Sequence, residues 1–556
     1  MDGLPQRGCK TVHRGVFRVP QSFDYIVVGG GSAGCVLANR LSADGRYQVC
    51  LLEAGPDDRN PLIHMPLGVV PLVRGWFANW RFWSEPQPQL GGRRTYQPRG
   101  KVLGGCSSIN ATVCTRGHRW DYDHWSELGC SGWSYDEVLP YFRKSENYEA
   151  PLAERDRPFH GQGGPLNVTA RRYTNPVSSA MVEAAVQAGH VHNEDFNGAA
   201  QAGAGQFKVF QKGGQRCSNA RAYLTPEVRA RRNLHILTGA QATRVLIENG
   251  RAIGVKLRRG GRDEELRAQR EVILSAGAFQ SPQLLMLSGI GPKAELQKHG
   301  IAVQQDLPGV GENLQDHLEV IVETQAKSRA GISYHPTSLL KSIVALFQYL
   351  FGKRGMLTSN GPEAGGFLKS SPAEPIPDLQ WHFGPFPNVT HGFNLVPMFL
   401  RYGYIAYLYD LRPLSRGRVG LHSADPLAPP RIDPNYLAEP RDVDKLVAGV
   451  KLTREVLKQR ALDPHRGEEL SPGPAVQSDA DIAAWVRKAA ETTYHPVGTC
   501  KMGVDEMAVV DPQLRVRGVQ GLRVVDASIM PTLIGANTNA PTTMIAEKAA
   551  EMILRS

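Results

Sequence analysis

The sequence predicts an α/β protein, α+β overall, that combines a parallel sheet with a second, antiparallel sheet. An apolar run of aromatic and β-branched residues, Tyr25–Val28, leads through a glycine-rich turn into helix-spaced apolar positions at Cys35–Leu41. Two later runs, Glu271–Gly277 and Gly521–Ser528, are typical of buried parallel strands. From about residue 325 to 490, short strand-like segments alternate with loops, which favours an antiparallel sheet.

The glycine-rich turn has the spacing Gly29-x-Gly31-x-x-Gly34. Gly29 permits a tight turn, Gly31 removes a side chain that would block a pyrophosphate, and Gly34 lets the helix approach the strand. The N-terminus of the helix then faces the phosphates. Glu53 ends the next predicted strand, about 20 residues downstream, where an acceptor for a ribose hydroxyl is expected. The first domain is therefore predicted to bind a dinucleotide.

Composition excludes several other classes. The 556 residues are 41% hydrophobic and 21% charged, as in folded multidomain proteins, and no run of about 18 apolar residues could span a bilayer. The net charge of +11 is spread along the chain, which argues against a nucleic-acid partner. The eight cysteines form no C-x-x-C pair and no metal-ligand spacing. We expect no metal site and a reducing, cytoplasmic location.

One segment, residues 338–354, repeats large apolar side chains at helical spacing and ends in two cations. It is too short to span a bilayer. It could lie in a membrane interface, which would make the protein peripheral on the inner face of the cytoplasmic membrane, or it could pack beneath a substrate lid. The residues concerned are Leu339, Leu340, Ile343, Val344, Phe347, Leu350, Phe351, Lys353 and Arg354.

Nucleotide-binding features recur near residues 30, 275 and 526, so the first domain is expected to be discontinuous. We assign it residues 23–160, 216–324 and 491–556, after an N-terminal extension at 1–22. Residues 161–215 and 325–490 are assigned to the second, substrate-facing domain.

Four further motifs carry a family resemblance. Gly100–Asn110, Gly277–Gly291, Tyr494–Gly503 and Asn537–Asn539 are similar to the signatures of the glucose-methanol-choline (GMC) oxidoreductases. The resemblance implies an FAD-binding Rossmann-like domain of the p-hydroxybenzoate-hydroxylase type, with an antiparallel-sheet substrate domain over the flavin. It also implies oxidation of an alcohol carbon.

Oxidation of an alcohol through a flavin requires the hydroxyl proton to leave while a hydride moves to flavin N5, so a base must lie beside the substrate oxygen. His495 is the candidate general base, because an imidazole with an ordinary pKa of about 6.5 is readily held neutral. Asn537 stands where the family places a second His or Asn and would orient the same oxygen.

The resemblance also implies the cofactor contacts. Val102 and Asn110 would contact the isoalloxazine, backbone groups of Val245 the adenine, and Asp526 with Ala527 the ribityl-pyrophosphate. Relatives that bind flavin covalently carry a His where this chain has Ile109, so we expect non-covalent FAD. The full set of expected cofactor residues is Gly29, Gly31, Ser32, Gly34, Glu53, Val102, Asn110, Val245, Asp526, Ala527 and Asn539.

The segments around Asn60–Gly68 and Leu357–Ser371 resemble membrane-associated bacterial dehydrogenases that oxidise aliphatic primary alcohols to aldehydes and reduce quinone. Choline dehydrogenase is an alternative, with Glu363 placed to pair with trimethylammonium. Arg412, a cation on the substrate side, disfavours choline. An oxygen-using alcohol oxidase stays open, as do hydroxynitrile lyase and fatty-acid photodecarboxylase from different classes. The oligomeric state stays open as well.

Overall fold

Two large β-sheets organise the computed structural model, which describes residues 21–75 and 77–556. Residues 1–20 of the expected N-terminal extension therefore lie outside the described residues. The strands of the two sheets are β1 (Ser22–Val28), β2 (Val49–Glu53), β3 (Gly203–Gln206), β4 (Leu234–Thr238), β5 (Ala240–Glu248), β6 (Arg251–Arg259), β7 (Arg262–Leu274), β8 (Leu318–Ala326), β9 (Ala364–Leu368), β10 (Leu379–Gly384), β11 (Gly403–Asp410), β12 (Arg466–Ser471), β13 (Glu491–Thr492) and β14 (Leu522–Val524).

The first sheet has the strand order β4-β2-β1-β7-β6-β5, and β14 also pairs with β7. The ladders from β4 through β7, and that of β7 with β14, are parallel, whereas β5, β6 and the start of β7 form antiparallel ladders. Val28 lies level with Leu52 and Leu274, so three buried strands end at one edge. The prediction of a parallel sheet assembled from distant parts of the chain is confirmed.

The second sheet has the order β12-β8-β11-β10-β9-β3, with β13 also beside β8, and all its ladders are antiparallel. This confirms the predicted antiparallel sheet. The expected domain boundary at residue 324 falls inside β8, which belongs to this sheet, and β13 begins at the boundary at residue 491. The domain boundaries remain a proposal.

Helices cover both sheets. On the first sheet α1 packs against α15, which in turn contacts α5; on the second, α6, α13 and α14 bury an apolar face. The helices are α1 (Ser32–Leu41), α2 (Pro61–His64), α3 (Val69–Arg74), α4 (Arg119–Glu127), α5 (Tyr135–Ser145), α6 (Pro176–Gln187), α7 (Asn219–Tyr223), α8 (Pro226–Arg229), α9 (Gly277–Leu287), α10 (Lys293–Lys298), α11 (Leu339–Gly352), α12 (Val396–Leu400), α13 (Pro440–Leu457), α14 (Asp479–Ala489) and α15 (Asn539–Arg555).

Five short two-stranded ladders of the described chain lie outside the two large sheets. They join Phe82–Trp83 to Tyr96–Gln97, Glu146–Tyr148 to Leu166–Val168, Gln211–Lys212 to Gln215–Arg216, Ile290–Gly291 to Gln305–Asp306, and Arg418–Gly420 to Arg431–Asp433. Among the helices that the structure describes, none is both long and apolar enough to cross a bilayer.

The turn between β1 and α1 depends on the absence of side chains. Gly29 has φ of +104°, and a Cβ there would lie 2.5 Å from the carbonyl oxygen of Ser275. A Cβ on Gly34 would lie 1.9 Å from the carbonyl oxygen of Gly29. Helix α1 therefore touches the turn with backbone alone. A Cβ on Gly31 would meet nothing closer than 3.8 Å, so that position opens onto free space.

We predict opposite stability effects for two alanine substitutions in this turn. Alanine is ordinarily favoured over glycine inside a helix by about 1 kcal/mol, yet Gly34→Ala should lower the free energy of unfolding by about 1–3 kcal/mol, because its methyl group clashes with backbone. Gly31→Ala is the matched control and should change it by under about 0.5 kcal/mol. Denaturant unfolding of both variants measures this. Equal stability of the two would contradict the packing described for Gly34.

Candidate active site

A cavity of about 560 Å³ is lined by residues of both sheets. From the first sheet come the residues at and beyond the carboxyl ends of β1, β2, β7 and β14, which is where open α/β sheets bind ligands. From the second sheet come side chains of β8, β10 and β11. The cavity volume lies within the range of ordinary cofactor and substrate sites.

The glycine turn and Glu53 form one end of this cavity. The carboxylate of Glu53 accepts hydrogen bonds from the backbone N–H groups of Gly30 (3.0 Å) and Gly55 (2.7 Å). Burial outweighs these bonds and raises the pKa of Glu53 to about 7. Burial separates this carboxylate from water. A ligand hydroxyl that donates a hydrogen bond to it would take the place of the lost water. Beside it, the open space at Gly31 leaves the backbone accessible.

Three of the helices that begin at the cavity do so beside the glycine turn and Asp526 or next to Asn537. They are α1, which begins at Ser32, α9, which begins at Gly277, and α15, which begins at Asn539. The hydroxyl of Ser32 donates to the side-chain oxygen of Asn539 at 2.7 Å, which joins α1 to α15. The positive ends of the helix dipoles make such a convergence suitable for phosphates and for a negatively charged ring.

Asp526 organises the α9 end of the cradle. Its carboxylate accepts hydrogen bonds from the N–H of Gly277 (2.8 Å), the hydroxyl of Ser281 (2.6 Å) and the N–H of Ser528 (2.8 Å). Ala527, next in the chain, also lines the cavity. Together with the open glycine turn and Glu53, these groups fit a dinucleotide with a ribose, a pyrophosphate and a flexible linker.

The structure brings most of the expected cofactor residues to the cavity, but Val102, Val245 and Gly34 do not line it. Val102 is fully buried in a cluster with Ile63 and Ile109. Val245 is turned into the core, and its N–H donates to the hydroxyl of Ser288 at 2.8 Å.

Ala242, three residues before Val245 on β5, lines the cavity. The register of β5 shifts between Ala242 and Arg244. The alternation of side chains between the two faces of the strand is therefore interrupted between Ala242 and Val245. Asn110 does line the cavity. Its side-chain oxygen accepts from the N–H of Thr112 and from the guanidinium of Arg216, which holds the turn that carries it.

His495 lies in the cavity wall at the second sheet. Its backbone N–H donates to Asp316 at 2.8 Å, and its side-chain Nε2 lies 3.2 Å from the amide nitrogen of Asn537. The preceding residue, Tyr494, has φ of +70°, a conformation that costs a non-glycine residue about 1–3 kcal/mol. The hydroxyl of Thr492 accepts from the Tyr494 N–H, and Arg99 donates to its carbonyl, so the surroundings hold this strained turn in place.

A chain of hydrogen bonds fixes the tautomer of His495. His317 Nε2 lies 3.0 Å from the carbonyl oxygen of Leu411, which can only accept, so the proton of a neutral His317 is on Nε2. His317 Nδ1 is then an acceptor, and it lies 3.0 Å from His495 Nδ1, which must be the donor. The hydroxyl of Thr493, also 3.0 Å from that nitrogen, donates to the His317 carbonyl and can accept as well. Nε2 of His495 is consequently left without a proton.

Burial keeps both imidazoles neutral. Burial lowers the pKa of His317 to about 3, and it lowers the pKa of His495 well below 6.5, with the nearby His317, His382 and Arg99 adding to the effect. An unprotonated Nε2 facing the cavity can accept a proton. This arrangement has the geometry that a general base requires.

The amide of Asn537 is oriented by its neighbours. The backbone N–H of Asn537 donates to the hydroxyl of Thr115 at 3.1 Å, so this hydroxyl uses its own proton to donate to the Asn537 side-chain oxygen at 2.8 Å. The NH2 group is thereby turned towards His495 Nε2. A substrate oxygen at this point would meet one acceptor, His495, and one donor, Asn537. His382, another cavity residue, lies next to this pair, and burial lowers its pKa to about 3.

Neither substrate-side residue expected from the sequence lines the cavity. Glu363 is fully buried, and its carboxylate accepts from the N–H of Asn175 at 2.7 Å and the hydroxyl of Ser359 at 2.6 Å. Arg412 forms an ion pair with Asp121 at 2.7 Å and donates to the carbonyl of Pro377. Both side chains have structural partners, because the loops that carry them pack against other parts of the protein.

Sequence reasoning missed Glu319, a cavity residue on β8. The residue is only 7% exposed, and burial raises the pKa of its carboxyl well above 4.5, assisted by Glu491 and Asp316. Its side chain makes no hydrogen bond or ion pair within the described part of the chain. The segment Leu318-Glu319-Val320 did carry a signal, since a carboxylate stands between two apolar residues at the start of a strand.

One part of the cavity wall is formed by apolar side chains. Leu67, Val69, Val70 and Val73 come from the α2–α3 region, and Ile332, Leu395 and Met398 come from the second half of the chain. The cavity therefore has a polar end at His495 and an apolar end that suits a hydrocarbon chain.

Comparisons with known proteins agree with this geometry. Family models described as GMC oxidoreductase match residues 23–319 and 413–546. The chain is 50% identical over 535 residues to an alcohol dehydrogenase (acceptor) of Pseudomonas putida, covering 96% of each chain. It is 45% identical over 540 residues to an oxygen-dependent choline dehydrogenase of Rhizobium etli, covering 96% of this chain and 95% of the relative.

Among solved structures, a formate oxidase of Aspergillus oryzae studied for modification of its FAD is similar, with a TM-score of 0.90 and 27% identity, covering 96% of this chain and 98% of that one. Two family models, which together match most of the chain, and close relatives along nearly its whole length lead to one conclusion. The chain belongs to the GMC oxidoreductase family.

Proposed function

We propose that the protein oxidises a primary alcohol to the aldehyde with FAD, and that His495 is the general base. FAD, when bound, supplies the acceptor for the hydride that leaves the alcohol carbon. Family membership and the relatives named above support FAD-dependent alcohol oxidation. The observation that carries the role of His495 is its unprotonated Nε2, held 3.2 Å from the Asn537 amide in the cavity wall.

In this proposal the substrate hydroxyl lies between His495 and Asn537. This hydroxyl donates its proton to Nε2 of His495, and its oxygen accepts a hydrogen bond from the amide NH2 of Asn537. As the hydride leaves, the hydroxyl proton passes to Nε2, and His495 becomes an imidazolium. His317 and Thr493 continue to accept from Nδ1, which keeps the ring in place. Burial destabilises the imidazolium, which favours release of the proton afterwards.

The remaining details are proposals of the same kind. A quinone-type molecule would be the final electron acceptor, and the protein would work in the cytoplasm, either free or peripheral on the inner face of the cytoplasmic membrane. FAD is bound without a covalent bond, because Ile109 stands where covalent relatives carry a histidine.

Acid or heat precipitation should therefore release the yellow colour into the supernatant, and colour retained in the pellet would contradict non-covalent binding.

A second substrate class is favoured by Glu319. A buried carboxylate without a partner in the cavity would gain a counter-ion from a substrate that carries a positive charge. Tyr407 lines the same wall and could add a cation–π contact. Choline fits this chemistry, whereas the apolar end of the cavity fits an aliphatic alcohol. Both are primary alcohols, so the step at His495 is the same.

His495→Ala should lower kcat for alcohol by at least about two orders of magnitude while FAD stays bound, because the proton acceptor is lost. The measurement is the rate of flavin reduction without oxygen, monitored by absorbance after enzyme and alcohol are rapidly mixed. Near-normal reduction in the variant would exclude His495 as the base.

The wild-type pH profile should reflect the lowered pKa of His495. The neutral form is active, so kcat/KM should stay constant from neutral pH down through pH 6.5 and fall only as the pH drops through the lowered value. A fall centred at pH 6.5 or higher would contradict the burial effect.

His317 is expected to be a positioning residue. His317→Phe removes the acceptor for His495 Nδ1–H and should lower kcat about tenfold, the equivalent of one hydrogen bond of about 1–1.5 kcal/mol, with little change in KM. His317→Gln can donate to the Leu411 carbonyl and accept from His495, so it should recover most of the rate. A purely structural role predicts no such recovery by His317→Gln.

Glu319→Gln separates the two substrate classes. If a cationic substrate pairs with Glu319, the variant should raise KM for choline about tenfold or more and leave a neutral alcohol such as hexan-1-ol unaffected. If the neutral alcohol is the substrate, choline should be a poor reductant of the flavin already in the wild-type protein. Steady-state kinetics with both alcohols decide between the outcomes.

A further inference from the structure

Helix α11 is attached to the protein by very little of its surface. Of its residues, only Ala345 and Tyr349 are buried. Phe351 is 84% exposed and Leu340 is 73% exposed. The other exposed large apolar side chains of this helix are Leu339, Ile343, Val344, Leu346, Phe347 and Leu350. Such an apolar patch in contact with water is unusual and indicates a surface that binds something.

A second exposed apolar element adjoins it. Val396, Phe399 and Leu400 of α12 are each more than half exposed. The segment that leads into α11 is bonded to α12, since the N–H of Tyr334 donates to the carbonyl of Met398 at 2.8 Å and the rings of Tyr334 and Phe399 lie 5.6 Å apart. We call the exposed residues of α11 and α12 the apolar surface.

The charged Lys and Arg side chains of the segment that carries α11 have no acidic counterpart within that segment. Residues 324–362 contain no aspartate or glutamate. The same segment carries five cations, Lys327, Arg329, Lys341, Lys353 and Arg354. Lys341 lies within α11 and Lys353 and Arg354 follow its C-terminus, so positive charge accompanies the apolar side chains along the helix. A partner with negative charge and an apolar interior is complementary to this surface.

The apolar surface is continuous with the cavity. Tyr334 is 45% exposed and also lines the cavity. Leu395 and Met398, at the start of α12 and within it, line the cavity as well. Ile332 and Met398 pack in one cluster with Met356, which follows α11. An apolar molecule could therefore move from the outer side of this surface to the cavity in contact with apolar side chains.

We infer that the apolar surface inserts into an anionic phospholipid bilayer and that apolar alcohols reach the cavity from the lipid. A symmetric contact between two copies of α11 is disfavoured, because it would bring the cations of both copies together without a counter-charge. A bilayer provides both the anionic headgroups and the apolar layer. The passage of alcohol rests on the proposed function, whereas the binding to lipid does not.

The test is flotation of the FAD-loaded protein with vesicles at about 0.15 M salt. Wild-type protein should float with vesicles of phosphatidylcholine and phosphatidylglycerol, and at least about tenfold less with pure phosphatidylcholine. The triple variant Leu340→Ser, Phe347→Ser, Phe351→Ser should lose at least about tenfold in partitioning, since three large apolar side chains are removed. The matched control is Val191→Ser with Val504→Ser, which removes two exposed apolar side chains outside the apolar surface and should float like wild type.

Three outcomes would overturn the inference: wild-type protein that stays in the soluble fraction, equal loss in the control, or a wild-type dimer that the triple variant converts to monomer in sedimentation. The last outcome would assign the surface to a second copy.

Kinetics separate this inference from the proposed function. The triple variant should oxidise butan-1-ol in solution at the wild-type rate and be at least about tenfold slower with dodecan-1-ol in vesicles. Failure of every alcohol to reduce the flavin would instead refute the proposed function and leave the flotation result standing.

Discussion

The contact between the Nδ1 atoms of His317 and His495 is the constraint on which the proposed chemistry of this protein depends. Two neutral imidazoles that meet through these atoms can share one proton only, and the carbonyl of Leu411 decides which ring supplies it. The consequence is a bare Nε2 on His495. Burial sustains this state, because either imidazolium would be poorly solvated.

The two sheets contribute different halves of the site. Parallel strands end together at one edge and present backbone N–H groups, helix N-termini and Glu53 to a dinucleotide. The antiparallel sheet presents side chains from one face, with Glu319 and Ile321 of β8 turned to the cavity while Leu318 and Val320 lie in the core. A substrate held against this face would lie next to a dinucleotide bound at the edge of the first sheet.

Local motifs could be predicted from the sequence, whereas contacts between distant segments could not. The β1–α1 turn, the strand that ends at Glu53 and the family motif around His495 are fixed by a few neighbouring residues. The position of Val245 was not: Ala242, before a register shift in β5, lines the cavity, whereas Val245, after the shift, lies in the core. Glu363 looked like a substrate-binding carboxylate, yet its partner, the Asn175 N–H, lies 188 residues away and cannot be inferred from spacing.

Neutron diffraction from the FAD-loaded protein at pH 7 would test the central claim most directly, because it locates the protons on both rings. The account predicts deuterium on Nε2 of His317 and on Nδ1 of His495, with none on Nε2 of His495. Deuterium on Nε2 of His495, in the resting protein, would mean that this histidine is not poised to accept the proton of an alcohol, and the account would be contradicted.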